Sequence, residues 1–104
     1  MILKVKKKIV IIIYILLINP VFSDEKMDLG LDIFNNKAEC SSCHKLKSAN
    51  SNGEIGPNLD QLRPTFEQVL VAVTRGIGVM PAFDGMLNSK EIEAVSYFVS
   101  ESTK

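Results

Sequence analysis

The chain has 104 residues with 12 basic and 12 acidic side chains, a formal net charge of zero, and only two cysteines and one histidine. That length allows one domain, with a core small enough that a covalent or cofactor staple is expected. Two Cys and one His exclude a closed zinc site within one chain, because such a site takes a full tetrahedral set of ligands.

Lys4, Lys6, Lys7 and Lys8 precede an unbroken apolar run of ten residues, Ile9 to Ile18, followed by Asn19, Pro20 and Val21-Phe22-Ser23. A basic start, a short apolar stretch and a small residue at the cut point read as a secretory signal peptide covering residues 1–23. Crossing a bilayer takes about 20 apolar residues, so a retained anchor is the poorer of the two open readings. Cleavage after Ser23 delivers Asp24 to Lys104 to the periplasm as one domain. That piece keeps 8 basic and all 12 acidic residues, a net charge of −4. An acidic surface argues against nucleic acid and anionic membranes as partners, and suits a partner with a neutral or basic docking patch.

The first helix is expected from about Asp28 to Lys37, with Leu31, Phe34 and Ala38 on one buried face and Gly30 permitting a close helix contact. Cys40-Ser41-Ser42-Cys43-His44 then spell C-x-x-C-H, the run that attaches a c-type haem. Two thiols three positions apart suit the two vinyl groups along one side of the macrocycle. Cys40 and Cys43 form the thioethers, and His44 turns its imidazole to the iron as proximal ligand. No free thiol then remains. A thioredoxin-like dithiol needs a β-α-β setting that these Ser-, Asn- and Lys-rich surroundings do not supply.

Ser48 to Asn58 is rich in Gly, Asn and Ser and reads as a loop. Within it the Pro57 carbonyl is a candidate acceptor for the second N–H of His44, as a ligating imidazole requires. The bland alternative is that Gly56-Pro57 only makes a turn. Pro64 precedes the second helix, Thr65 and Gln68 form its capping box, Phe66, Val69, Leu70 and Val73 make its apolar stripe, and Gly76 ends it. Gly76-Ile77-Gly78-Val79-Met80-Pro81-Ala82-Phe83 is a strap in which glycines allow tight turning and Pro81 keeps Met80 extended. With no second histidine, the other axial ligand comes from Met27, Met80 or Met86, unless that position is open or filled by Lys; the strap favours Met80. Asn88 and Glu91 form a second capping box, opening a third helix that buries Ile92, Val95, Phe98 and Val99 before a polar tail, Ser100 to Lys104. The pattern predicts an all-α fold with about three main helices.

These residues resemble the small class I bacterial cytochromes c. Cys40 to His44, Gly56-Pro57-Asn58-Leu59 and Val79-Met80-Pro81-Ala82-Phe83 stand in that family's order, and the likeness spans essentially all of residues 24–104. The resemblance implies a compact helical fold around one covalently attached haem, with His44 and Met80 as axial ligands and Pro57 supporting His44. It also implies that the first and third helices cross through Gly30, Phe34 and the Val95 to Tyr97 region. Two features depart from the common form: Phe34 stands two residues farther from Cys40, and the stretch from His44 to Met80 is short. Without tryptophan the propionates need another partner; Arg63 is a candidate, its alternative being a solvated cation near a helix start.

An iron with both axial positions occupied offers substrates no site, so the expected function is single-electron transport, not enzyme catalysis. A thioether ligand and burial among Phe34, Phe66, Phe83 and Phe98 favour Fe(II) and a positive potential. The expected partners are protein electron donors and acceptors that dock transiently through a small interface. Two other classes stay open: a cytochrome subunit of a periplasmic dehydrogenase or terminal oxidase complex, and a haem sensor or enzyme with a labile sixth ligand.

Overall fold

Four helices carry the described part of the computed structural model, residues 22–104: α1 (Phe22–Asp32), α2 (Leu59–Leu62), α3 (Phe66–Arg75) and α4 (Ser89–Ser102). Of the signal peptide read over residues 1–23, all but Phe22 and Ser23 lies outside the described residues. Among the described residues no helix is long and apolar enough to cross a membrane. The all-α expectation holds, and both capping boxes form. Thr65 Oγ1 accepts from Gln68 N at 3.2 Å while Gln68 Oε1 accepts from Thr65 N at 3.0 Å. Asn88 and Glu91 repeat the exchange at 2.8 and 3.0 Å. Each box satisfies backbone donors that the first helical turn leaves orphaned, a contribution of about 1 kcal/mol per cap. Gly76 closes α3 at φ 73°, a backbone state that side chains rarely adopt.

The first helix departs from expectation at both ends. It starts at Phe22 rather than Asp28, and after Asp32 it widens into a π-type turn, Ile33–Lys37, closed by Ala38 N–H donating to the Ile33 carbonyl at 2.9 Å. A π-type turn accommodates an extra residue within a helix. It therefore takes up part of the long Phe34-to-Cys40 spacing. The buried face shifts with it: Ile33 and Phe34 are fully buried, whereas Leu31 and Ala38 are only half-buried.

α1 crosses α4 at Gly30. A Cβ on Gly30 would lie 2.4 Å from the Ala94 carbonyl oxygen and 2.4 Å from Phe98 Cβ, so the crossing is as close as it is because that position has no side chain. One turn later the Phe34 and Phe98 rings meet with centroids 5.9 Å apart and planes tilted by 58°, a favourable aromatic geometry. The contacts on α4, Ala94 and Phe98, bracket the expected Val95 to Tyr97 region. Lys26 pairs with Glu93 at 2.6 Å and Lys37 with Glu91 across the same seam. Such solvent-accessible pairs contribute little to stability. Val69 and Val73 of α3 and Leu59 of α2, with Leu46, Phe83 and Leu87 from the connections, join this core.

The segment from Ser48 to Asn58 is more ordered than its composition suggests. Lys45–Leu46 (β1) pairs antiparallel with Ser51–Asn52 (β2), Lys45 opposite Asn52 and Leu46 opposite Ser51, around a 3₁₀ turn at Lys47–Ala49. Partners far along the chain hold this hairpin in place. Asp60 Oδ2 accepts from Lys47 N at 2.8 Å, and Asn35 Nδ2 donates to the Ala49 carbonyl at 3.4 Å. Helix α2, absent from the sequence reading, follows directly, with Asn58 Oδ1 capping it through Gln61 N at 3.3 Å.

The carboxy-terminal tail is also corrected. α4 continues through Ser102, and Ser100 and Thr103 are buried rather than loose. Arg63, in the left-handed region at φ 50°, donates from Nε to the Thr103 carbonyl at 3.1 Å. Its guanidinium thus ties the end of α2 to the end of α4.

Candidate functional site

Glu39 takes a left-handed conformation, φ 53°, and swings the chain from the π-type turn into a 3₁₀ turn over Cys40–Ser42. The Cys40 carbonyl then accepts from both Cys43 N at 3.1 Å and His44 N at 2.9 Å. A single acceptor gathers the two residues. Cys40, Cys43 and His44 are all half-buried, and the two cysteines form no disulfide. Burial, with a smaller contribution from the neighbouring Cys43, pushes the Cys40 thiol up to about 11. As a free thiol, before any haem is attached, it is therefore protonated at neutral pH. Among the described residues no three His, Cys, Asp or Glu side chains cluster as a metal ion held by these groups would need.

Residues 51–57 wrap the other side of this turn. Gly56 N donates to the Cys43 carbonyl at 2.7 Å, and Ser51 Oγ donates to the His44 carbonyl at 2.9 Å. Gly53 lies against the backbone between them: a Cβ there would sit 2.5 Å from Cys43 C and 2.6 Å from His44 N. Gly56 faces the imidazole, where an added Cβ would come within 2.6 to 3.0 Å of His44 Cε1, Nδ1 and Nε2. His44 Nδ1 and the Pro57 carbonyl oxygen are 2.8 Å apart. A carbonyl only accepts, so Nδ1 carries the proton and donates. That tautomer leaves the lone pair on Nε2 free to bind a metal.

Met80 belongs to a different segment. Ile77 and Met80 exchange backbone hydrogen bonds at 3.1 and 2.9 Å across a tight turn containing Gly78 at φ 56°. The turn folds back on Gly76, where a Cβ would meet the Met80 carbonyl oxygen at 2.6 Å and Ala82 N at 2.8 Å. Phe83 N donates to the Val73 carbonyl at 2.8 Å, pinning the far end of the strap to α3. Met80 is half-buried and packs on the core, as does Met27 from α1. Met86 is 64% exposed.

The structure thus joins His44 to Pro57 and sets Met80 on a braced strap. Arg63 is engaged by the Thr103 carbonyl. Ser51 and Gly53 shape the surroundings of His44 without any role having been read for them from sequence, whereas Gly56 was read only as part of a Gly56-Pro57 turn and of the motif Gly56-Pro57-Asn58-Leu59.

A family model described as "Cytochrome C oxidase, cbb3-type, subunit III" matches residues 25–99. The chain belongs to the cytochrome c family. It is 35% identical over 74 residues to a cytochrome c6 of Microcystis aeruginosa, covering 67% of this chain and 89% of that relative. A cytochrome c6 of Leptolyngbya boryana is 32% identical over 79 residues, covering 72% and 91% respectively. The crystal structure of the c-type cytochrome SorU from Sinorhizobium meliloti matches with a TM-score of 0.72 and 46% identity, covering 77% of this chain and 93% of that one. Like other cytochromes c, this protein is a haem-based electron carrier with covalently bound haem c. Its donor set fits the group: two thiols and an imidazole within five consecutive residues, the imidazole protonated at Nδ1 and open at Nε2.

Proposed function

We propose that this cytochrome is an exported, periplasmic single-electron carrier, its haem bonded through Cys40 and Cys43 and its iron held between His44 and Met80. The hydrogen bond from His44 Nδ1 to the Pro57 carbonyl, 2.8 Å long, carries the reading. It fixes the tautomer, orients the ring and strengthens Nε2 as a ligand, which is what a metal-bound histidine needs. Met80 is the better thioether because its strap is braced at both ends, while Met86 is largely exposed. When bound, the haem supplies a one-electron Fe(III)/Fe(II) couple that a thioether ligand biases toward the reduced form.

The chain's own residues do the rest. Phe34, Phe83 and Phe98 are buried and exclude water from the interior. A charge of −4 over residues 24–104 suits brief docking of a neutral or basic redox protein. The family description names an oxidase subunit, which favours one second reading, a stable cytochrome subunit of a larger complex. A carrier purifies as a monomer and exchanges electrons with several partners; a subunit copurifies with one enzyme.

Two measurements test the proposal. Intact mass of the periplasmic form reads leader removal and haem attachment together. Ferric absorbance in the sulfur-to-iron charge-transfer region reads the second ligand: Met80→Ala abolishes the band and Met86→Ala leaves it. The reverse pattern overturns the assignment.

A further inference from the structure

We propose that Ser51 is a positioning residue for His44, its hydroxyl holding the His44 carbonyl and thereby setting the tilt of the imidazole against Pro57. The inference rests on His44 being an axial ligand. Besides the Nε2 left for the iron, His44 has three polar handles, and two are already accounted for: its backbone N–H donates to Cys40 O at 2.9 Å and its ring Nδ1 to Pro57 O at 2.8 Å. The third is its carbonyl. The β1–β2 register pairs Lys45 with Asn52 and Leu46 with Ser51, so His44 lies just outside the paired residues. Ser51 reaches back from the opposite strand and donates to it at 2.9 Å, with the Leu46 carbonyl a more distant acceptor at 3.3 Å.

Burial makes this hydroxyl more than a surface ornament. Ser51 is only 6% exposed, so the bond operates where water does not compete and the hydroxyl has no solvent partner to fall back on. With the N–H side of His44 anchored at Cys40, a freed carbonyl allows the peptide plane to rotate and the Cα–Cβ bond to pivot. The ring then slides relative to Pro57, and the Nδ1 bond that sustains electron density at Nε2 loosens. Ser51 thus acts on the ligand through the main chain, without touching the ring.

The test compares haem-bearing Ser51→Ala and Ser51→Thr with Ser96→Ala as a control. Ser96 is also a buried serine donating to a carbonyl, Ile92 O at 2.7 Å, but it lies within α4. In the ferrous protein Ser51→Ala should exchange its His44 Nδ1 proton about fivefold faster, as loss of one hydrogen bond's net worth allows. Its midpoint potential should rise, because a weaker imidazole donor stabilises Fe(III) less. Ser51→Thr, which keeps the hydroxyl, should restore both, and Ser96→Ala should lower only the melting temperature. A Ser51→Ala protein that loses melting temperature like Ser96→Ala, with exchange and potential unchanged, overturns the inference and leaves the ligand assignment standing. Loss of the charge-transfer band is not expected, since Met80 is untouched; protein of apo mass in the wild type sinks the haem reading and this inference together. The wild type gives an independent check: a slowly exchanging Ser51 hydroxyl proton should appear in its ferrous NMR spectrum, and its absence overturns the proposal even where Ser51→Ala fails to accumulate.

Discussion

Replacing Gly30 by alanine separates two forces that act in opposite directions. Gly30 lies within α1, where alanine is the better helix former by about 1 kcal/mol, so local propensity alone predicts a more stable protein. The crossing predicts the opposite. A Cβ would sit 2.4 Å from the Ala94 carbonyl oxygen, 2.4 Å from Phe98 Cβ and 3.0 Å from Ala94 C, far inside van der Waals contact. Two of those atoms are backbone and cannot rotate aside, so α1 and α4 must move apart. Overpacking of this kind costs about 1–3 kcal/mol, and an obstacle made of main chain belongs at the upper end. Separation also loosens the Phe34–Phe98 pair, whose geometry contributes about 0.5–1.5 kcal/mol beyond burial. Against the gain in propensity, the net loss is about 2 kcal/mol, or a melting temperature lower by roughly 8–16 °C in a domain of this size. Thermal unfolding of the haem-bearing protein by circular dichroism measures it, with the exposed Asp28→Ala in the same helix as reference. A Gly30→Ala protein as stable as the wild type, or more stable, refutes the reasoning.

Gly56→Ala places a methyl group within 3.0 Å of three imidazole atoms, so the ring must shift and the bond to Pro57 must lengthen. In the haem-bearing protein the midpoint potential should rise by roughly 20–60 mV, the one-electron equivalent of losing part of a hydrogen bond to the proposed iron ligand His44; a wild-type potential refutes this. Glu91 is held below its ordinary value of 4.5 by the hydrogen bond from Lys37 and then by the Asn88 backbone N–H. Its folded pKa is lower than its unfolded one, so the stabilisation is present above about pH 4.5 and is lost as pH falls through the folded value. Lys37→Met should bring the Glu91 carboxyl, followed by NMR titration, back toward 4.5, and an unmoved titration contradicts the pairing.

Short-range chemistry was the legible part. Thr65 with Gln68 and Asn88 with Glu91 speak to each other across a single turn, and a cap satisfied within three residues needs no help from the rest of the fold. The first helix was misread because amphipathic spacing assumes a uniform turn. The π-type turn at Ile33–Lys37 breaks that assumption and buries Ile33 fully beside Phe34, while Leu31 and Ala38 pack against the core half-buried. Ser48 to Asn58 was read as loop because its order comes from Asp60 and Asn35, 13 and 14 residues away from the groups they hold.

The amino-acid order alone determined which reactive groups are neighbours, Cys40, Cys43 and His44, and which sulfur atoms were available to face them. Covalent adjacency and spacing are properties of the chain. The folded molecule brought the Pro57 carbonyl to 2.8 Å from the imidazole, and it turned Arg63 to the Thr103 carbonyl. It also made Gly30, Gly53 and Gly56 points where a hydrogen is all that fits. Those outcomes depend on how closely two distant stretches of backbone approach, a distance set by the packing of the whole domain and written in no single segment of it.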